Sequence, residues 1–286
     1  MPRRKLISNY FLTPLQKGKK LDNTMETNNS FSIQRFLLLC KQSFVINKKM
    51  IGISLGGFSG MLFLILMGNQ SGAHFSNWEN HDYLGTFVFL FFVLGIIYSG
   101  HSFPAFRSKE KSMAYLMLPA SASEKFFFEL VTRIIVFILL MPLLFWVIAN
   151  LEGSVVHYFV PELKNYTFSF VESWSEINHQ LHYDGWNIFA IVQGCLFVFI
   201  AAFAGASHFS KSPLLKTMFA FSLIIAGYGF YVYLLIKGFD LNGIRVENNF
   251  FIKDKDEAIV YIAIGATAIN LCLLAIAWFK LKEKEA

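Results

Sequence analysis

The sequence predicts an all-α membrane protein: a bundle of six transmembrane helices with an amino-terminal amphipathic interfacial helix. Three observations lead there. Of the 286 residues 55% are hydrophobic and only 15% charged, against roughly 25% charged in an ordinary soluble domain. The charges sit in the ends and loops and leave six long apolar stretches, each near the roughly 17–25 residues that a helix needs to cross hydrocarbon. Lysine and arginine also gather on alternate connections, the bias that orients a multi-pass chain.

Residues 1–30 are polar and basic and read as a disordered cytoplasmic tail, without the apolar core of a signal peptide. Met25 opens a second plausible start, METNNSFSIQRF. Over 31–50, Ile33, Phe36, Leu37, Cys40 and Phe44 recur at helical spacing while Gln34, Arg35, Lys41, Gln42 and Lys48 fall on other faces. Such a helix either lies in the membrane interface or extends the first span into the cytoplasm.

The spans are placed at about 51–68, 84–100, 130–149, 187–206, 215–236 and 258–279, within a transmembrane domain covering 51–286. None carries a charge near its middle; Arg133 and Lys216 stand close enough to span ends to snorkel to the interface. Pro142 inside the third span predicts a kink, and Ser212-Pro213 a capped start to the fifth. With the amino terminus inside, twenty of the 25 Lys and Arg fall on the inner side and five on the outer. The expected placement is therefore multi-pass in the plasma (inner) membrane, both termini cytoplasmic.

Several function classes lose support. The +6 formal charge flanks the spans rather than gripping a phosphate backbone, so no nucleic-acid partner is expected, whereas anionic membrane lipid is. The three cysteines form no CxxC pair. All seven histidines lie in loops or at span ends, which disfavours a buried haem, and His179-Gln-Leu-His182 with Asp184 is a weak metal pattern in a polar loop. No HExxH, GxSxG or P-loop motif is present, so neither catalytic residues nor a cofactor or metal is expected, and no ATPase site on this chain. The spans offer amides such as Gln193 and Asn270 rather than mid-membrane charges, leaving an ion gradient no evident handle.

Two features remain. Gly52, Gly56 and Gly60 form overlapping GxxxG motifs, a helix-packing face either within the chain or at a dimer seam. The loop FPAFRSKEKSMAYLMLPASASEKFFFEL carries a Ser121-Ala-Ser-Glu124 capping box and, before it, Met113, Leu116 and Met117 at helical spacing. This short amphipathic helix either docks in a partner's groove or simply re-enters the bilayer.

With that loop, ending LPASASEKF, an amphipathic amino-terminal helix and six spans, residues 31–286 resemble the ABC transporter permeases of the type-2 exporter family, in a divergent Bacteroidetes-type form. The sharp match is confined to Phe103 to Leu130. The resemblance implies a homo- or heterodimer, a separate cytoplasmic P-loop ATPase, and a coupling loop that carries Glu110, Lys111, Glu124 and Lys125. Two features depart from the family: 237–257 is acidic rather than a hydrophobic re-entrant helix, and the long aromatic loop 151–186 lies between spans three and four. The expected function is a membrane permease subunit moving a cargo, amphipathic or lipid-like, on a partner's ATP. The alternative is a non-transporting membrane scaffold or regulatory protein. An enzyme acting through 151–186 lacks a visible acid, base and nucleophile set.

Overall fold

A computed structural model describes residues 31–72, 78–117, 120–162, 167–181, 185–209, 211–238 and 255–285. The tail 1–30, Pro119, His182, Asp184 and the acidic stretch 239–254 lie outside them. Among the described residues there are α-helices and no strand, and six helical stretches are long and apolar enough to cross a membrane.

The first helix, α1 (Ile33–Gly72), is one unbroken rod of 40 residues, about 60 Å at 1.5 Å per residue. Of the two arrangements open for 31–50, the structure adopts the continuous extension of the first span. No proline interrupts this stretch, and Asn47 folds its amide back onto the Ser43 carbonyl at 3.0 Å rather than ending the helix. Helix α2 (Asn80–Gly100) starts at a capping box between Glu79 and Asp82. A 3-10 turn (Pro104–Arg107) and α3 (Lys109–Leu116) lead into α4 (Ala122–Leu130). A π-helical turn (Val131–Ile135) then joins α4 to α5 (Val136–Phe159), which continues through Pro142. This third span is ten residues longer at its carboxyl end than the apolar run alone predicts.

The remaining helices are α6 (Phe170–Leu181), α7 (Gly185–His208), α8 (Pro213–Gly238) and α9 (Lys255–Glu285). Ser212 opens α8 from a left-handed backbone (φ 48°), its carbonyl accepting the Lys216 N–H at 3.2 Å. The contacts of Arg35 with Glu124, Phe126 with Trp278, Gly100 with Leu214 and Lys284 with Ser207 gather one end of every long helix together. We call it the basic end.

Helix α7 is the hub, touching α2, α8 and α9. Its buried run Ala201–Ser207 is almost all small residues, and that is what lets its neighbours come close. A Cβ added at Gly205 would collide with Thr217, whose hydroxyl is already fixed by donating to the Pro213 carbonyl at 2.7 Å. Gly95 likewise abuts the Phe199 and Phe137 rings, and Gly100 the Leu214 side chain. Between the two ends of the bundle, Asn270 of α9 donates to the side chain (2.9 Å) and backbone carbonyl (3.1 Å) of Gln193 on α7.

Apolar side chains form two cores. One, at the basic end, centres on Phe103, Phe126 and Phe203. The other, toward the opposite end, centres on Leu66, Tyr83 and Phe145. By contrast, a Cβ added at Gly52, Gly56 or Gly60 would find open space among the described residues. Among the described residues α1 meets the bundle near its start, where Arg35 reaches Glu124, and again in its last third, around Leu62 and Leu66.

The two glycine sets give opposite expectations. Gly205→Val should cost about 1–3 kcal/mol through overpacking, while Gly56→Ala should cost nothing and add up to about 1 kcal/mol of helix propensity. Thermal unfolding in a mild detergent checks this; a Gly205→Val protein as stable as its parent would mean that α7 and α8 are not in close contact.

Candidate functional site

The basic end is built around the capping box read from the sequence. Glu124 takes the Ser121 N–H on Oε2 at 3.0 Å, and its own N–H donates to the Ser121 hydroxyl at 3.3 Å. Its other oxygen leaves the local helix altogether. Oε1 accepts the Ser32 N–H at 2.8 Å and the Arg35 guanidinium at 3.0 Å from both Nε and Nη2. Ser32 is the residue whose carbonyl receives the first helical bond of α1, from Phe36. One carboxylate thus satisfies donors at the amino ends of two helices, where unsatisfied N–H groups and the positive dipole end favour an anion. Phe31, edge-on to Phe127 at 5.8 Å, lies beside the pair.

Two further contacts fix the loop to the bundle. Glu129 on α4 accepts the Phe103 N–H at 3.3 Å and Arg133 Nε at 3.4 Å. Phe103 is fully buried with φ 53°, a costly conformation for a bulky residue that persists because its surroundings hold it. The π-helical turn follows directly. Tyr98 of α2 donates to the Thr132 carbonyl at 3.4 Å, and the Arg133 guanidinium sits 5.0 Å above the Tyr98 ring. Such turns recur at functional positions because they break the regular bonding ladder. On the other side of the loop, Lys125 Nζ lies 5.6 Å from the Tyr115 ring of α3.

The residues singled out in the sequence therefore separate. Glu110 is exposed on the first turn of α3, which also contains Lys111, whose side chain lies outside what is described. Glu124 (0% exposed) and Lys125 (2%) are interior groups, engaged within the chain rather than presented to a partner. Burial follows from the fold of α4 against α1 and α3, which residue spacing along α4 alone does not reveal. Among the described side chains of the loop, Met113 (60%) and Met117 (82%) are exposed, two apolar groups one helical turn apart. Sequence reasoning missed Ser32, Glu129 and Phe103 and gave Arg35 only a place on the polar face; the one local signal was that Glu129 and Arg133 stand four apart on a helix.

A second polar cluster closes the opposite end. Because α5 runs on to Phe159, Glu152 falls inside the bundle, fully buried, with its Oε2 accepting the Tyr83 hydroxyl at 3.0 Å. This supplies an ionisable group that the apolar runs did not show. Above it, Asn80 takes the Ser169 N–H at 3.2 Å and donates to Glu172 at 3.1 Å, while Asn150 donates to the Phe168 carbonyl at 3.2 Å. These bonds hold the start of α6 down on α2 and α5, with Phe168 and Phe170 packed over Phe87 and Phe145. Among the described residues no group of three His, Cys, Asp or Glu side chains could hold a metal ion.

No protein-family model, curated protein or solved structure matches the chain. What it does must be argued from the two ends of the bundle.

Removing one partner of a buried ion pair costs about 3–5 kcal/mol, and the partial exposure of Arg35 reduces this. Glu124→Ala should therefore destabilise by about 2–4 kcal/mol and speed tryptic cleavage after Arg35 and Lys41, whereas Glu110→Ala should change neither. Equal behaviour of the two variants would remove Glu124 from its place as the clamp. At the other end, Tyr83→Phe should cost about 1–3 kcal/mol by taking a donor from a buried carboxylate, read by the same unfolding measurement.

Proposed function

We propose that this chain is the membrane-spanning permease subunit of an ATP-driven transporter, worked by a separate P-loop ATPase. The observation that carries the reading is the junction of the α3–α4 loop with α1. A subunit without its own ATPase site needs a loop that a partner can push and a connection from that loop into the membrane. Glu124 supplies the connection, since the start of α1 and the start of α4 share its carboxylate. Glu110, Met113 and Met117 supply an outward face on the same loop.

In this reading the basic end is cytoplasmic, in keeping with the positive-inside bias, and the chain sits in the plasma (inner) membrane. Glu124 and Lys125 transmit force inside the subunit, and the contact with the ATPase falls on α3. The open face of Gly52, Gly56 and Gly60 suits close approach to a second bundle in a homo- or heterodimer. Rocking of two such bundles would expose a cargo to each side in turn, and the long apolar surfaces suit an amphipathic or lipid-like cargo. A scaffold that binds some other protein through Met113 and Met117 would use the same face, so the partner's identity decides between the two.

The test is purification of the tagged full chain from its own membrane in mild detergent, with mass spectrometry of what accompanies it. A stoichiometric P-loop ATPase that is lost on Met117→Glu or Glu110→Lys, with stability unchanged, supports the permease. A chain that purifies alone, or with non-ATPase proteins only, overturns it.

A further inference from the structure

Beyond the loop and the buried acids, the corner between α7 and α8 has a surface feature of its own. A groove of about 420 Å³ is lined by Phe209, Leu215, Lys216, Phe219, Ala220 and Leu223. Leu215, Phe219 and Leu223 recur every four residues and so form one straight apolar track along α8. All three are strongly exposed, and the track starts at the basic end and rises about 12 Å toward mid-membrane. Its apolar lining is interrupted once, by Lys216, whose Nζ lies 5.7 Å from the Phe209 ring centroid.

A plain lipid-facing helix would leave such a groove to any acyl chain. Charge distinguishes this one. Lys211 and Lys216 are both exposed at the corner, and no Asp or Glu occurs anywhere between Asp184 and Asp240. Of the acids on the last turns of α9, Glu283 is already engaged by Lys280 at 2.6 Å. Lys284 is turned inward, donating to the Ser207 carbonyl at 2.8 Å and lying 4.5 Å from the Phe106 ring. Among the described residues the exposed lysines at the α7–α8 corner itself are Lys211 and Lys216, with Lys282 exposed on α9, and the charge the corner pair complements is a phosphate at headgroup depth.

We propose that this groove is a binding site for an anionic phospholipid. One acyl chain lies along Leu215, Phe219 and Leu223, and Lys216 with Lys211 holds the headgroup phosphate. The site is on the lipid-facing side of α8, away from the α3–α4 loop, and its occupation does not depend on the permease reading. The lipid would brace the α7–α8 corner, where Ser212 carries its left-handed backbone and Thr217 abuts Gly205.

The full-length protein, titrated in mild detergent with dioleoyl-phosphatidylglycerol or dioleoyl-phosphatidylcholine and read by native mass spectrometry, tests this. The wild type should bind one phosphatidylglycerol in preference to phosphatidylcholine. Lys216→Gln should weaken that binding about fivefold, as should Lys211→Gln, the effect of one basic residue at an anionic surface. Ala220→Trp should block it by filling the groove, and Lys41→Gln on α1, which removes the same charge elsewhere, should leave it intact. Equal loss with Lys41→Gln and Lys216→Gln would mean diffuse attraction to the basic end and overturn the site. So would equal binding of the two lipids, or an Ala220→Trp protein that binds lipid normally but loses self-association, which would give the groove to a second copy.

Discussion

The amino ends of α1 and α4 each bring unsatisfied N–H groups and a positive dipole end to the same point, and the Glu124 carboxylate stands between them. Burying a lone carboxylate at that depth would be strongly unfavourable. It is tolerated because both oxygens are occupied: Oε2 by the Ser121 N–H, Oε1 by the Ser32 N–H and the Arg35 guanidinium. The position of the first helix follows from this. Between its anchored first turn and the core contacts at Leu62 and Leu66, α1 presents exposed apolar side chains such as Ile46 and Ile53. Beside the clamp, the aromatic contact of Phe31 with Phe127 also ties this end to α4.

The same logic applies to the rest of the bundle. In lipid, apolar side chains gain little by meeting one another, so close packing and hydrogen bonds decide which helices associate. Close packing is concentrated on α7, where small residues admit Thr217 of α8 and the helices α2 and α9. Hydrogen bonding is concentrated at the two ends: Glu124, Glu129 and Lys284 at one, Asn80, Asn150 and Glu152 at the other. The π-helical turn at Val131–Ile135 lies between the clamped α4 and the apolar α5. A displacement of the loop would therefore pass into the membrane at two places, through Glu124 into α1 and through the π-helical turn into α5.

The six spans were legible because the cost of charge in hydrocarbon leaves long apolar runs in any sequence that crosses a membrane. Their ends were less legible. The extension of α5 past Ala149 depends on polar residues that find partners in space, such as Tyr83 for Glu152. The Ser121–Glu124 capping box was visible because its bonds are local, but its second role was not, since Ser32 is 92 residues away. For the same reason Glu124 and Lys125 read as surface charges and are interior ones. The GxxxG motif is limited in another way: small residues at Gly52, Gly56 and Gly60 permit close packing, but which neighbour they meet depends on where α1 lies. The packing glycines are Gly95, Gly100 and Gly205, which share no motif and are recognisable only from what faces them.

The central claim, that one buried carboxylate ties the loop to the first helix, is tested most directly by a double-mutant cycle on Arg35→Gln and Glu124→Gln, with unfolding measured in one detergent. If the guanidinium and carboxylate meet as described, the double variant loses at least about 1 kcal/mol less than the sum of the two single losses. Losses that add to within about 0.3–0.5 kcal/mol would show two independent sites, and α1 would then not be coupled to the loop through this pair.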